Sequence, residues 1–120
     1  MLIESLHGDR GDVQVVNTVN GGAIPNLAED AVVEVACRID REGAHPLAVD
    51  PLAPEMLGLV QQAKAYERLT VTAAVSGDGG AALKALMANP LVREYEIARP
   101  LLEALLEANR DFLPKFPLTQ

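Results

Sequence analysis

Tryptophan is absent from this sequence, cysteine occurs once and histidine twice. Two Tyr and two Phe are the only aromatic residues, so the interior must be built from Ala, Val and Leu. The lone Cys37 excludes an internal disulfide and gives no support to a stapled, secreted fold. It sits in a strand-like run, where a small buried thiol is the plain reading. Positive charge is also scarce: 10 Lys and Arg stand against 17 Asp and Glu, a net charge of −7. A duplex or an anionic lipid surface repels such a chain, and no basic stripe or aromatic platform offsets the repulsion. No nucleic-acid partner is expected. No apolar run approaches the roughly 18 residues of a membrane span, and no charged-then-apolar leader is visible at residue 1. The expected compartment is the cytoplasm, without membrane contact.

What is present suits a globular protein. Hydrophobic residues make up 49% of 120, long enough for one domain spanning 1–120. MLIESLH reads as the last turns of a longer helix, ended by Gly8 and the turn Asp9-Arg10-Gly11-Asp12. Val13 to Val19 is a strand by its β-branched content. A loop rich in Gly, Pro and Asn follows, and 31–39 is a second strand with Val33, Val35 and Cys37 on one face. Asp40-Arg41-Glu42-Gly43 is a tight turn, leading to a third strand over 44–49 that His45-Pro46 marks as an edge. From Pro54 the pattern is helical. Three helices are predicted, 54–75, 81–88 and 95–112, separated by Ser76-Gly77-Asp78-Gly79-Gly80 and Asn89-Pro90. Their expected inward stripes are Met56, Leu59, Val60, Ala63, Tyr66 and Thr70, then Leu83, Leu86 and Met87, then Ile97, Leu101, Leu105, Ala108 and Phe112. Antiparallel-type strands followed by helices make the predicted class α+β.

By its own residues the chain offers no catalytic constellation. His7 and His45 lack metal-ligand spacing with Cys37 or with a carboxylate pair, so no metal site is assigned. His7 reads as solvent-exposed and His45 as structural. Ser5 and Ser76 lie in nothing like a nucleophile elbow. Glu29, Asp30 and Glu34 read as solvated charge rather than as a general acid and base. Gly77-Asp78-Gly79-Gly80 has no following Lys-Ser/Thr and does not follow a strand, so it is a helix–helix turn, not a phosphate cradle.

The order of segments says more. Asn20-Gly21-Gly22-Ala23-Ile24-Pro25-Asn26-Leu27, Asp30-Ala31-Val32-Val33-Glu34-Val35, Gly43-Ala44-His45-Pro46-Leu47, Pro51-Leu52-Ala53-Pro54 and Tyr66-Glu67-Arg68-Leu69-Thr70-Val71 follow one another in register. This succession closely resembles the C-terminal region of glycoside hydrolase family 4. That family holds 6-phospho-β-glucosidases, 6-phospho-α-glucosidases and α-galactosidases that use NAD and a divalent metal such as manganese. The closing stretch Leu91 to Phe116 is similar to the family's last helix. Ala28 and Ala36 stand where the family commonly has Pro, which loosens the loop's entry and exit.

The resemblance implies a fold like the C-terminal domain of lactate dehydrogenase-like enzymes. It implies part of a hydrolase, most simply of 6-phospho-β-glucosidase type, acting by oxidation at C3 and elimination. It also implies what this chain lacks: a preceding Rossmann domain with its dinucleotide fingerprint, the metal-binding Cys and His, and the catalytic Tyr. Cys37 and His45 fall outside the family's metal motif, so neither inherits that role. No cofactor is expected to bind this chain alone, and inactivity alone is expected. The expected partners are the missing Rossmann portion and further copies of the chain in a homo-oligomer. The resemblance further suggests that the loop residues Asn17, Asn20, Gly21, Gly22 and Ile24 line the sugar–nicotinamide site, where glycines admit close approach and Asn amides suit sugar hydroxyls. Two other readings remain open: a non-enzymatic assembly or binding module, and a fragment of a lactate- or malate-type dehydrogenase. The Ala-Ile-Pro-Asn-Leu and His-Pro-Leu segments argue against the second.

Overall fold

A computed structural model describes residues 1–116. The chain divides into two compact units, Met1–Leu57 and Gly58–Gln120.

In the first unit, helix α1 (Leu2–Gly8) ends on Asp9, whose φ of 52° gives the left-handed cap. Three antiparallel strands follow, β1 (Asp12–Val19), β2 (Val32–Asp40) and β3 (Gly43–Pro46), in the order β1-β2-β3. Val15 pairs with Ala36, Asn17 with Glu34, and Val19 with Val32. Alternation sends Ala31, Val33, Val35, Cys37 and Ile39 inward, and all five are buried. Cys37 and Ile39 are wholly inaccessible, as the strand pattern predicts. The opposite face leaves Val13, Val15, Val19 and Val32 more than half exposed. A two-residue turn joins β2 to β3, with Asp40 opposite Gly43. Gly43 has φ 132°, a conformation that side chains disfavour.

The predicted third strand, 44–49, is too long. Leu47 N–H still bonds to Ala36 O, but Val49 N–H turns away to Ala23 O. The chain leaves β2 after Leu47 to bond to the loop instead, which ends the ladder.

Helix α2 (Pro54–Ser76) starts in the first unit and runs into the second, where α3 (Gly79–Ala88), α4 (Tyr95–Ala108) and a short 3-10 turn (Arg110–Phe112) follow. Asp78 caps α3, its Oδ1 accepting from Gly80 and Ala81 N–H at 2.8 and 3.1 Å. The two glycines predicted to lie in the linker therefore form the first turn of α3. The last predicted helix, 95–112, stops at Ala108, because the Asn109 backbone departs from helical geometry and the chain tightens into the 3-10 turn.

Two inward stripes also need correction. Met56, Leu59 and Thr70 of α2 are exposed, whereas Ala73 is buried. In α4, Ile97, Leu101, Leu105 and Ala108 are exposed, as is Phe112 in the 3-10 turn, and Ala98 is buried with Leu102 and Leu106 half-buried one step round the helix. Among the described residues, the buried apolar side chains of this unit are those of Ala73, Ala81, Ala85 and Ala98, all small. Among the described residues no helix is long and apolar enough to cross a membrane.

Candidate functional site

The loop between β1 and β2 is shaped by one side chain. Asn20 closes β1, is 1% exposed, and turns its amide into the loop. Nδ2 donates toward the carbonyls of Ile24, Leu27 and Ala28 at 3.0, 3.2 and 3.2 Å, and Oδ1 accepts Ile24 N–H at 2.8 Å. Gly21 N–H bonds to Glu29 O and Asn20 N–H to Ala31 O, drawing the loop's two ends together. Gly21 and Gly22 then cross the tip at φ 51° and 88°. A Cβ at either glycine would meet open space, so the requirement there is conformational and not internal crowding. Asn26 fastens the loop's far side, exchanging bonds with Leu52: Nδ2 to Leu52 O at 2.9 Å and Leu52 N–H to Oδ1 at 3.0 Å.

These contacts leave a concave notch of about 350 Å³, lined by Val19, Asn20, Gly21, Gly22, Ala23, Pro46 and Ala48. Of the five loop residues named from sequence, Asn20, Gly21 and Gly22 come together at this notch. Ile24 is buried below it, and Asn17 lies on the exposed face of β1 opposite Glu34. Pro46 and Ala48 were not foreseen. They reach the notch because β3 returns beside the loop, a long-range placement with no local sequence signal.

No helix N-terminus and no charged side chain lines the notch, so it does not fit a dinucleotide pyrophosphate by itself. One group of possible metal ligands occurs among the described residues, Asp40, Glu42 and His45 at the β2–β3 turn. Asp40 is already engaged: His45 Nε2 donates to its Oδ1 at 2.8 Å, Glu42 N–H bonds to the same oxygen at 2.9 Å, and Arg38 stands 3.7 Å from Oδ2. The His45 hydrogen bond, ahead of the Glu42 amide and the two nearby positive groups, holds the Asp40 carboxyl below its ordinary 3.8. A guanidinium at that distance opposes a cation, and the turn is an ion-pair cluster that does not fit a manganese ion. Cys37 is buried and free, and Ser5 is buried, accepting from Gln14 Nε2 at 2.7 Å.

Comparison with known proteins gives one answer. Residues 1–92 match the model of the family 4 glycosyl hydrolase C-terminal domain. The chain is 44% identical over 115 residues to the "Probable 6-phospho-beta-glucosidase" of Bacillus subtilis (strain 168), covering 96% of this chain and 26% of that protein. It superposes on a 6-phospho-alpha-glucosidase from gut microorganisms, solved with NAD and Mn2+, with a TM-score of 0.93 at 30% identity, over 97% of this chain and 26% of that one. The 6-phospho-beta glucosidase of Thermotoga maritima, solved with manganese, NAD+ and glucose-6-phosphate, gives a TM-score of 0.89 at 39% identity, over 97% of this chain and 28% of that one. The chain thus spans about a quarter of the length of these relatives. It belongs to glycosyl hydrolase family 4, as the C-terminal domain of that family.

Proposed function

We propose that the chain is the C-terminal domain of a 6-phospho-β-glucosidase and acts only with an upstream portion that binds NAD and manganese. The glycine tip at Gly21-Gly22 would form one wall of the pocket in which nicotinamide and sugar meet. The observation that carries this reading is the notch: neutral, mostly apolar, and edged by two exposed glycines at positive φ. Such a wall excludes water and lets flat rings approach backbone without an intervening Cβ. Asn17, on the exposed face of the same strand, is the loop-side amide free to meet a hydroxyl, whereas Asn20 contributes by holding the loop. The β-type assignment draws on the 44% identity to the Bacillus subtilis protein. Val13, Val15, Val19 and Val32 on the outer sheet face would be covered by the upstream portion, and in a chain kept alone by further copies of itself.

The test is a fusion in which residues 1–120 replace the matching C-terminal quarter of the Bacillus subtilis protein. With NAD and manganese present, Gly22→Val is expected to lower kcat/KM more than tenfold while unfolding temperature changes little. An unchanged kcat/KM would remove the tip from the site.

A further inference from the structure

Among the described residues, Asn20 is the largest polar side chain held wholly inside. Burying an amide is unfavourable unless its donors and acceptor are paired, and this one is paired at both ends. Its Nδ2 faces three carbonyls, those of Ile24, Leu27 and Ala28, and its Oδ1 takes the Ile24 N–H. The bonds reach four, seven and eight residues along the chain, so one side chain ties together both halves of the loop. The backbone of the same residue closes the loop's two ends through Ala31 O and spans the glycine tip by accepting Ala23 N–H.

The tip has the opposite character. Gly21 and Gly22 are exposed and have no side chain to pack against anything. Glycine reaches more of φ space than any other residue, so a Gly-Gly tip keeps one conformation only if its neighbours impose it. The neighbours that do so are Glu29, whose carbonyl takes the Gly21 N–H, and Asn20, immediately before the tip, whose side chain ties down Ile24 immediately after it. We infer that Asn20 is the positioning residue of the glycine wall: it touches neither sugar nor nicotinamide, and sets where Gly21 and Gly22 stand. The assignment rests on the reading of the tip as a wall of the site. It differs from the role the loop's sequence suggests for Asn20, that of a direct partner for a sugar hydroxyl.

The experiment has two readouts. In the 120-residue chain, hydrogen exchange is followed at the Ile24 amide, the proton that Asn20 Oδ1 accepts, for wild type, Asn20→Ala and Asn20→Asp. Asn20→Asp keeps the volume and the acceptor but sets an oxygen against three carbonyls, so it breaks the clamp without opening a cavity. Exchange at Ile24 is expected to accelerate at least tenfold in Asn20→Ala, and Asn20→Asp is expected to speed exchange at the loop amides of Gly21 and Ala31. In the fusion described above, both variants are expected to lower kcat/KM at least tenfold at temperatures where circular dichroism shows them folded. A purely structural Asn20 would lower the unfolding temperature and leave kcat/KM of the folded fusion within twofold, and that result overturns the assignment. So does an Ile24 amide as protected in Asn20→Ala as in wild type. Gly22→Val separates the two claims: if it alone leaves kcat/KM intact, the wall reading falls, and loss of Ile24 protection in Asn20→Ala still shows what Asn20 does to the loop.

Discussion

The unit Met1–Leu57 and the unit from Gly58 onward are stabilised in different ways. The first buries Ile24, Leu27, Val33, Val35 and Ile39 and closes its turns with named side chains: Asn20, Asn26, Asp9 and Asp40 each hold backbone or a specific partner. Among the described residues, the apolar side chains that the second buries are all alanines, and Val71, Val75, Ile97, Leu105 and Phe112 lie outside. Its exposed ion pairs, such as Arg99 with Glu103, are screened by solvent and add little stability. A small-residue interior permits close helix approach but removes little apolar area from water per side chain. The difference teaches that the first unit supplies much of its own core and can hold a loop still, whereas the second offers surface for something else to cover.

The exception in the second unit is Gly77, and it offers the largest way to break the comparison. Its φ is 76° and a Cβ there would fall on the carbonyl of Lys115, whose Nζ bonds to Val75 O at 2.7 Å. Gly77→Val is expected to destabilise by about 3 kcal/mol or more, through backbone strain and displacement of the 115 segment. Urea unfolding measures it, and a loss under about 1 kcal/mol would mean the segment moves freely.

Paired truncations sharpen the contrast. Val35→Ala, at a 6% exposed position, is expected to cost about 2 kcal/mol. Leu105→Ala, at 44% exposure, is expected to cost about 0.5 kcal/mol or less despite removing more carbon. Equal losses would mean the two units are alike after all.

A smaller effect follows from acid. The Asp40 carboxyl is held below 3.8, first by the His45 hydrogen bond, and the Asp12 carboxyl below 3.8, first by that of Gln14. Depressed carboxyl values stabilise the fold above the ordinary value, and that stabilisation is lost as pH falls through the folded-state value. Both groups lie in the first unit. Asp40→Asn is therefore expected to lower stability at neutral pH and to reduce the further loss on acidification, read from urea midpoints at neutral and acidic pH. An unchanged acid slope would show that the hairpin ion pair contributes nothing.

The sequence made the first unit more legible than the second. β-branched alternation in Val13–Val19 and Ala31–Ile39 located the strands within a residue or two and gave the buried face of β2 correctly. The β2–β3 turn followed from Gly43. The α4 stripe was misplaced because Ile97, Leu101 and Leu105 run beside Ala98, Leu102 and Leu106, so half the helix circumference is apolar. Periodicity reports that half but not which part of it the chain covers. The loop was recognisable as unusual from Asn20-Gly21-Gly22, yet the inward turn of the Asn20 amide depends on carbonyls four to eight residues away. Pro46 and Ala48 reach the notch only through sheet pairing, which no local pattern encodes.

The central claim is that the residues present hold one wall of a site and lack a dinucleotide site of their own. Calorimetric titration of the isolated 120-residue chain with NAD, manganese present, tests it most directly. No saturable binding tighter than about millimolar, or about −4.1 kcal/mol, is expected. Saturable binding in the micromolar range would contradict this, by showing that the chain carries a complete dinucleotide site.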